Sequence, residues 1–114
     1  MSGPDGRVLA DDAYGVRLEH EAVSDDEVVA GAPTTATRPL GEVAGVEVGL
    51  WEITAGTVRD TEVDEIFVVL SGDATVRFAD GSSVDLGPGA VVRLHAGEQT
   101  EWEIRSTLRK IYLA

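Results

Sequence analysis

Four carboxylates crowd one short stretch of this chain: Asp60, Glu62, Asp64 and Glu65. Oxygen donors at that density suit a hard cation, and they suit equally an acidic loop that stays solvated. If residues 62–65 are extended, alternate side chains point to opposite sides, which opposes a four-carboxylate cluster. Two histidines, His20 and His95, each offer a base able to take a proton near neutral pH. A lone histidine at a strand end is also an ordinary half-exposed residue. Lys110 and Tyr112 stand two apart and so face one side of a strand; a lysine there also discourages edge-to-edge pairing. Trp51 and Trp102 offer flat apolar walls for a planar ligand, or simply the bulk that fills a small core. Arg38, Arg59, Arg77, Arg93 and Arg105 are scattered, and any that faced inward would suit a carboxylate by bidentate pairing. Arg77 and Arg93 are the candidates.

Composition bounds what these residues can serve. The chain has 114 residues, room for one core and hardly two. With no cysteine there is no disulfide framework, no thiolate zinc site and no cysteine nucleophile. Nine Lys and Arg against 21 Asp and Glu leave a formal charge of −12. Such a surface repels nucleic acid and anionic membranes. The N-terminus lacks the basic start and apolar run of a signal peptide, and no stretch reaches membrane-spanning length. The expectation is a cytoplasmic protein whose partner is a small molecule.

The elements that must position these groups read as strands. Residues 1–27 form an acid-rich lead, partly mobile up to about Gly15, with few apolar residues to offset its ordering entropy. Ser24, Glu27 and Gly31 carry the signals of one short helical turn. From Thr34 onward strands alternate with turns. Residues 46–54 alternate roughly, and 66–70 is continuously apolar, as a strand buried on both faces requires. Residues 74–78 lead into the Asp80-Gly81 hairpin signal. Further strands follow at 83–86, 90–94, 100–104 and 108–113, divided by Gly87-Pro88-Gly89 and Ala96-Gly97. Strands at this spacing, with no helical period between them, make the chain all-β, an antiparallel sandwich or barrel. Gly87-Pro88-Gly89 opens no helix, so it is no phosphate loop.

Two stretches carry a family likeness. Asp64-Glu65-Ile66-Phe67-Val68-Val69-Leu70-Ser71-Gly72 resembles the first cupin motif, and Gly87-Pro88-Gly89 with the later Ala96-Gly97 resembles the second. Four pieces further resemble the ureidoglycine-aminohydrolase-type cupins: Val28-Val29-Ala30-Gly31-Ala32-Pro33, Val48-Gly49-Leu50-Trp51-Glu52, Thr100-Glu101-Trp102-Glu103 and Arg109-Lys110-Ile111-Tyr112. The likeness runs over residues 28–114, which would then be a single barrel domain behind the lead. It implies a double-stranded β-helix, the RmlC-like jelly-roll barrel, open at one end to a pocket and commonly a homodimer. The strand near 34–40 could cross to the partner.

A typical cupin holds a divalent metal through two paired histidines, a glutamate and a third histidine, leaving positions open for substrate. By the resemblance Glu65 matches the glutamate. The paired histidines would fall on Val58 and Asp60, or Arg59 and Thr61, and the third on Thr100 or Glu101. The standard metal cofactor is therefore not expected, although a divalent metal at Glu65 with Asp60 and Glu101 is the alternative. The same likeness turns Glu65 into the barrel, where a carboxylate needs a partner such as Arg77 or Arg93, or else a raised pKa. It also sets Lys110 and Tyr112 near the pocket, Lys110 to hold an anionic group and Tyr112 to donate a hydrogen bond or shuttle a proton. The expected site is thus Glu65, Lys110 and Tyr112 as catalytic groups, with Trp51, Arg77, Arg93, Thr100 and Trp102 around them. Three functions fit: a pocket for a small polar or anionic metabolite without the standard metal, whose catalytic form is a metal-independent isomerase, epimerase or hydrolase; a metal-dependent ureidoglycine-aminohydrolase-like enzyme; and a non-catalytic ligand-sensing or interaction module.

Overall fold

The computed structural model describes residues 6–114. Nine strands follow in chain order: β1 (Glu21–Ala22), β2 (Val28–Ala30), β3 (Thr34–Val43), β4 (Val46–Ile53), β5 (Gly56–Thr61), β6 (Glu65–Phe78), β7 (Ser83–Leu86), β8 (Val91–Leu94) and β9 (Gln99–Leu113). All pair antiparallel in one sheet.

The long strands β6 and β9 are its spine, paired from Ile66 opposite Leu113 to Phe78 opposite Thr100. On the free side of β9, β4 pairs with its C-terminal half and β5 with its N-terminal half. On the free side of β6, β8 and β7 divide the strand in the same way. The sequence pattern divides each spine strand in two. The structure instead runs each through an irregularity between Val69 and Ala74, where the β6–β9 register shifts. Gly72 sits there with φ +107°, and a Cβ on it would stand 2.6 Å from Leu108 Cα and closer still to the Thr107 carbonyl oxygen. Only a residue without a side chain lets the two backbones approach so closely. Such a bulge bends the strands without ending them, and the sheet curls.

The result is an all-β, jelly-roll-like half-barrel, not the closed double-stranded β-helix expected. Among the described residues the strand path ends on β1 and β2 on one side and on β7 and β8 on the other, and these ends do not pair. The short outer strands pair only with their neighbours, so the concave face stays open. The strand at 34–40 lies within β3, which pairs with β4 from Thr35 opposite Ile53 to Val43 opposite Val46. The helical turn expected near Ser24 is a plain turn, its Ser24 hydroxyl donating to Glu27 Oε1 at 2.9 Å, and it runs straight into β2.

Two-residue periodicity divides the apolar residues between the two faces. Ile53, Val58, Phe67, Val69, Val76, Trp102, Leu108 and Tyr112 join the main core within the curl. Leu50 and Leu70 point to the convex face, where they pack with Leu18 and Ala36, and with Ala13 and Val16 of the lead. This two-sided burial explains the unbroken apolar run in β6. The lead is held there by polar contacts as well. Buried Arg109 donates to the carbonyls of Ala13 (3.1 Å) and Val16 (2.7 Å) and to Glu52 Oε2 (2.8 Å).

Candidate functional site

The concave face opens on a cavity of about 560 Å³, lined among others by Trp51, Val58, Asp60, Glu62, Glu65, Trp102, Lys110 and Tyr112. At its wall the Lys110 ammonium meets Glu65 Oε2 at 2.6 Å, with side chains only 7% and 11% exposed. Three rings surround the same nitrogen, with centroids at 4.3 Å (Phe67), 4.6 Å (Trp51) and 5.1 Å (Trp102). The indoles lie 5.9 Å apart and tilted, and Phe67 lies 5.8 Å from Trp102. A cation over ring faces is attracted by their quadrupoles, most strongly where water is excluded.

Register explains this assembly. Glu65, Phe67 and Val69 share one side of β6, and Lys110 pairs with Val69 on one side and with Trp51 on the other. The lysine is therefore central in the sheet, on neither of its edges, and its charge must be met inside. Glu65 meets it. The arginines proposed as partners of Glu65 stand elsewhere: Arg77 pairs with Glu103 at 2.8 Å and Arg93 with Asp64 at 3.2 Å, all on exposed or half-exposed side chains outside the cavity lining. Both arginines fall on the outward parity of their strands.

A second polar group was hidden in the acidic run. Glu62 is 7% exposed. Its Oε2 accepts from the Thr100 hydroxyl at 2.6 Å and from the Trp102 indole N–H at 3.0 Å. Residues 62–64 lie between β5 and β6 and follow no strand geometry. Strict alternation fails there, so Asp60, Glu62 and Glu65 all line the cavity while Asp64 turns out to Arg93 and the Ala96 N–H. Asp60 opens onto the cavity, yet crowding by protein, and then the charge of Glu62, push its carboxyl up to about 6. Thr100 and Trp102 thus belong to the cavity's polar wall through Glu62, a link that the acid at position 62 and the strand parity of 100 and 102 could have suggested.

Tyr112 also lines the cavity, but its hydroxyl donates to Glu47 Oε2 at 2.6 Å. Burial first, then this bond and the Glu47 charge, raise its pKa well above the ordinary phenol value. The ring fits because Gly49 lies opposite it across the strands: a Cβ there would come within 2.6 Å of the ring edge.

The histidines stay apart from this site. His95 lies exposed after β8, outside the lining. His20 sits on the convex face, its Nε2 2.7 Å from Glu52 Oε1 and its Nδ1 2.9 Å from Thr34 Oγ1. The donor set of a standard cupin metal has no counterpart in the cavity. Val58 is packed in the core, Thr100 serves Glu62, Glu65 is taken by Lys110, and Glu101 does not reach the lining. Among the described residues no three His, Asp or Glu side chains are grouped to hold a metal ion.

An antiparallel jelly-roll curled around a polar, aromatic-walled pocket defines a cupin-type small-molecule-binding fold. Residues 40–112 match the family model of the EutQ-like cupin domain, and the chain belongs to that family. Solved structures agree on the fold. A protein of unknown function from Pseudomonas syringae pv. tomato superposes with a TM-score of 0.76 at 18% identity, over 88% of this chain and 45% of its own. The EutQ protein of Clostridium difficile gives 0.61 at 22% identity, over 71% of this chain and 61% of its own. A Rhizobium leguminosarum protein of unknown function gives 0.63 at 24%, over 69% and 78%. The chain thus spans less than two thirds of the first two. No curated protein matches it. Among the described residues no helix is long and apolar enough to cross a membrane.

Proposed function

We propose that this chain binds a small polar metabolite in the open cavity of its half-barrel and does so without the standard cupin metal. The observation that carries this reading is the Lys110–Glu65 pair, 2.6 Å apart and almost buried at the wall of a cavity large enough for a metabolite. Burying two charges costs more than their attraction commonly returns, so a fold that keeps such a pair beside a cavity invites a functional explanation. In the catalytic form of the reading, Glu65 takes a proton from the ligand and the Lys110 ammonium stabilises the negative charge left behind, as an isomerase or epimerase requires. Tyr112, its hydroxyl donating to Glu47, serves as a hydrogen-bonding wall.

The likeness to ureidoglycine-aminohydrolase-type cupins supports the pocket's framework. It does not extend to metal chemistry, because the carboxylates named for that role do not converge. The test uses protein dialysed against EDTA. A panel of small polar metabolites is titrated against tryptophan fluorescence, and any binder is then incubated in D2O and followed by proton NMR. Saturable binding whose affinity Lys110→Met changes is the expected result. Deuterium entering the bound molecule, and failing to enter with Glu65→Gln, identifies an enzyme; binding without exchange identifies a ligand-sensing module. Absence of saturable binding across the panel, or binding indifferent to both substitutions, overturns the assignment.

A further inference from the structure

We propose that the molecule bound in this cavity carries a positively charged ammonium group, and that Asp60 and Glu62 receive it. The inference rests on the small-molecule reading above and gives the ligand a sign of charge. The sequence alone pointed the other way, to an anion held by Lys110. In the structure that ammonium is already met by Glu65 and by three ring faces, so an incoming anion would have to compete with a contact of 2.6 Å.

The remaining charge of the cavity is negative. Its lining contains Glu21, Glu27, Glu47, Asp60, Glu62 and Glu65 against only Arg59 and Lys110. Among the described residues neither Asp60 nor Glu62 has a cation within ion-pair distance; the six pairs present involve Glu52, Asp64, Glu65, Asp73 and Glu103. Glu62 is more than nine-tenths buried, and both of its donors fall on Oε2. Its Oε1 therefore has no donor among the described residues, yet the side chain holds no buried polar atom without a partner. That oxygen is thus open to solvent, and because Glu62 lines the cavity a donor from a ligand could replace water on it. Asp60 agrees: protein crowding first, then the neighbouring Glu62 charge, raise its pKa to about 6, and the one cation that acts against them, Lys110, is already held by Glu65. Apolar surface from Trp51, Val58 and Trp102 lies alongside to cover a short alkyl chain.

The experiment follows tryptophan fluorescence, since the chain's two tryptophans, Trp51 and Trp102, both line the cavity. Butylammonium, butyrate and butanol are titrated at pH 8 and matched ionic strength. Butylammonium is expected to saturate the signal, with butyrate and butanol at least about fivefold weaker, and Asp60→Asn should weaken butylammonium by about fivefold. Glu62→Gln should weaken it too, with circular dichroism confirming that the variant folds. If butyrate or butanol binds as tightly as butylammonium, the cavity remains a small-molecule site and the cationic assignment falls. Butylammonium binding unchanged in Asp60→Asn also overturns it. If none of the three saturates, the cationic assignment falls, and the metabolite panel decides the binding reading separately.

Discussion

Replacing Lys110 by methionine isolates the energetic role of the ion pair. The substitution keeps most of the apolar stem that lies among Trp51, Phe67 and Trp102, and removes only the charge. Glu65, 11% exposed in its side chain, then faces those rings without a cation. Removing one partner of a buried pair costs about 3–5 kcal/mol, chiefly for the charge left behind. For a domain of this size that lowers Tm by roughly 12–20 °C at about 4 °C per kcal/mol. The loss of cation–π attraction adds about 1 kcal/mol. Glu65→Gln leaves the ammonium among the rings, which still favour it, so it should cost less, about 2 kcal/mol. Combining both removes the two charges together and should recover at least about 2 kcal/mol relative to the sum of the single losses. Urea unfolding of the four proteins at pH 7.5 measures the cycle. Additive single losses within about 0.5 kcal/mol, or a Lys110→Met deficit under about 1 kcal/mol, would show that the pair is hydrated and that the reasoning from burial is wrong.

Asp60 supplies a pH signature. Its folded pKa of about 6 lies above the ordinary 3.8, so the native state holds the extra proton between those values. Stability should therefore fall as pH rises through that window, and Asp60→Asn should remove the fall. Two units correspond to roughly 3 kcal/mol for a shielded group. Asp60 is solvent-open and faces Glu62, Glu27 and Lys110, and screening reduces the expected gain of Asp60→Asn at pH 7.5 to about 1 kcal/mol. Urea titrations at pH 4.5 and 7.5 read it, and a gain equal at both values contradicts it. Gly72→Ala should destabilise by about 3 kcal/mol, because positive φ and contact with the Thr107–Leu108 backbone act together; a Tm within a few degrees of wild type would mean that the spine can relax. We also expect a homodimer, since the half-barrel leaves strand edges unpaired and Val43, Ile66, Val91 and Leu113 exposed. Sedimentation at micromolar concentration checks this, and a 12.0 kDa species alone refutes it.

What could be read from the sequence was whatever depends on two-residue periodicity within one strand. Lys110 with Tyr112, and Phe67 with Val69, fall on the cavity side as alternation requires, and Trp51 follows from its place opposite Lys110. What could not be read depends on places where alternation breaks. Residues 62–64 leave strand geometry between β5 and β6, so Asp64 turns out although Asp60 and Glu62 face in, and Glu65 faces in as well. The bulge at Gly72 likewise joins two expected strands into one and sets the curl, which leaves a half-barrel in place of a closed one.

Charge pairing is the other quantity that periodicity leaves open. Arg77 and Arg93 are the partners expected of Glu65, and cross-strand register supplies Lys110 instead, because both arginines lie on outward parity and find Glu103 and Asp64. This selection bears directly on function. A free Lys110 in a pocket would make it attractive to anions, whereas Lys110 neutralised by Glu65 leaves the unpaired carboxylates of Asp60 and Glu62 to set its sign. A net charge of −12 repels polyanions from the surface; the same negative sign prevails in the cavity, so surface and site would attract the same class of small cation.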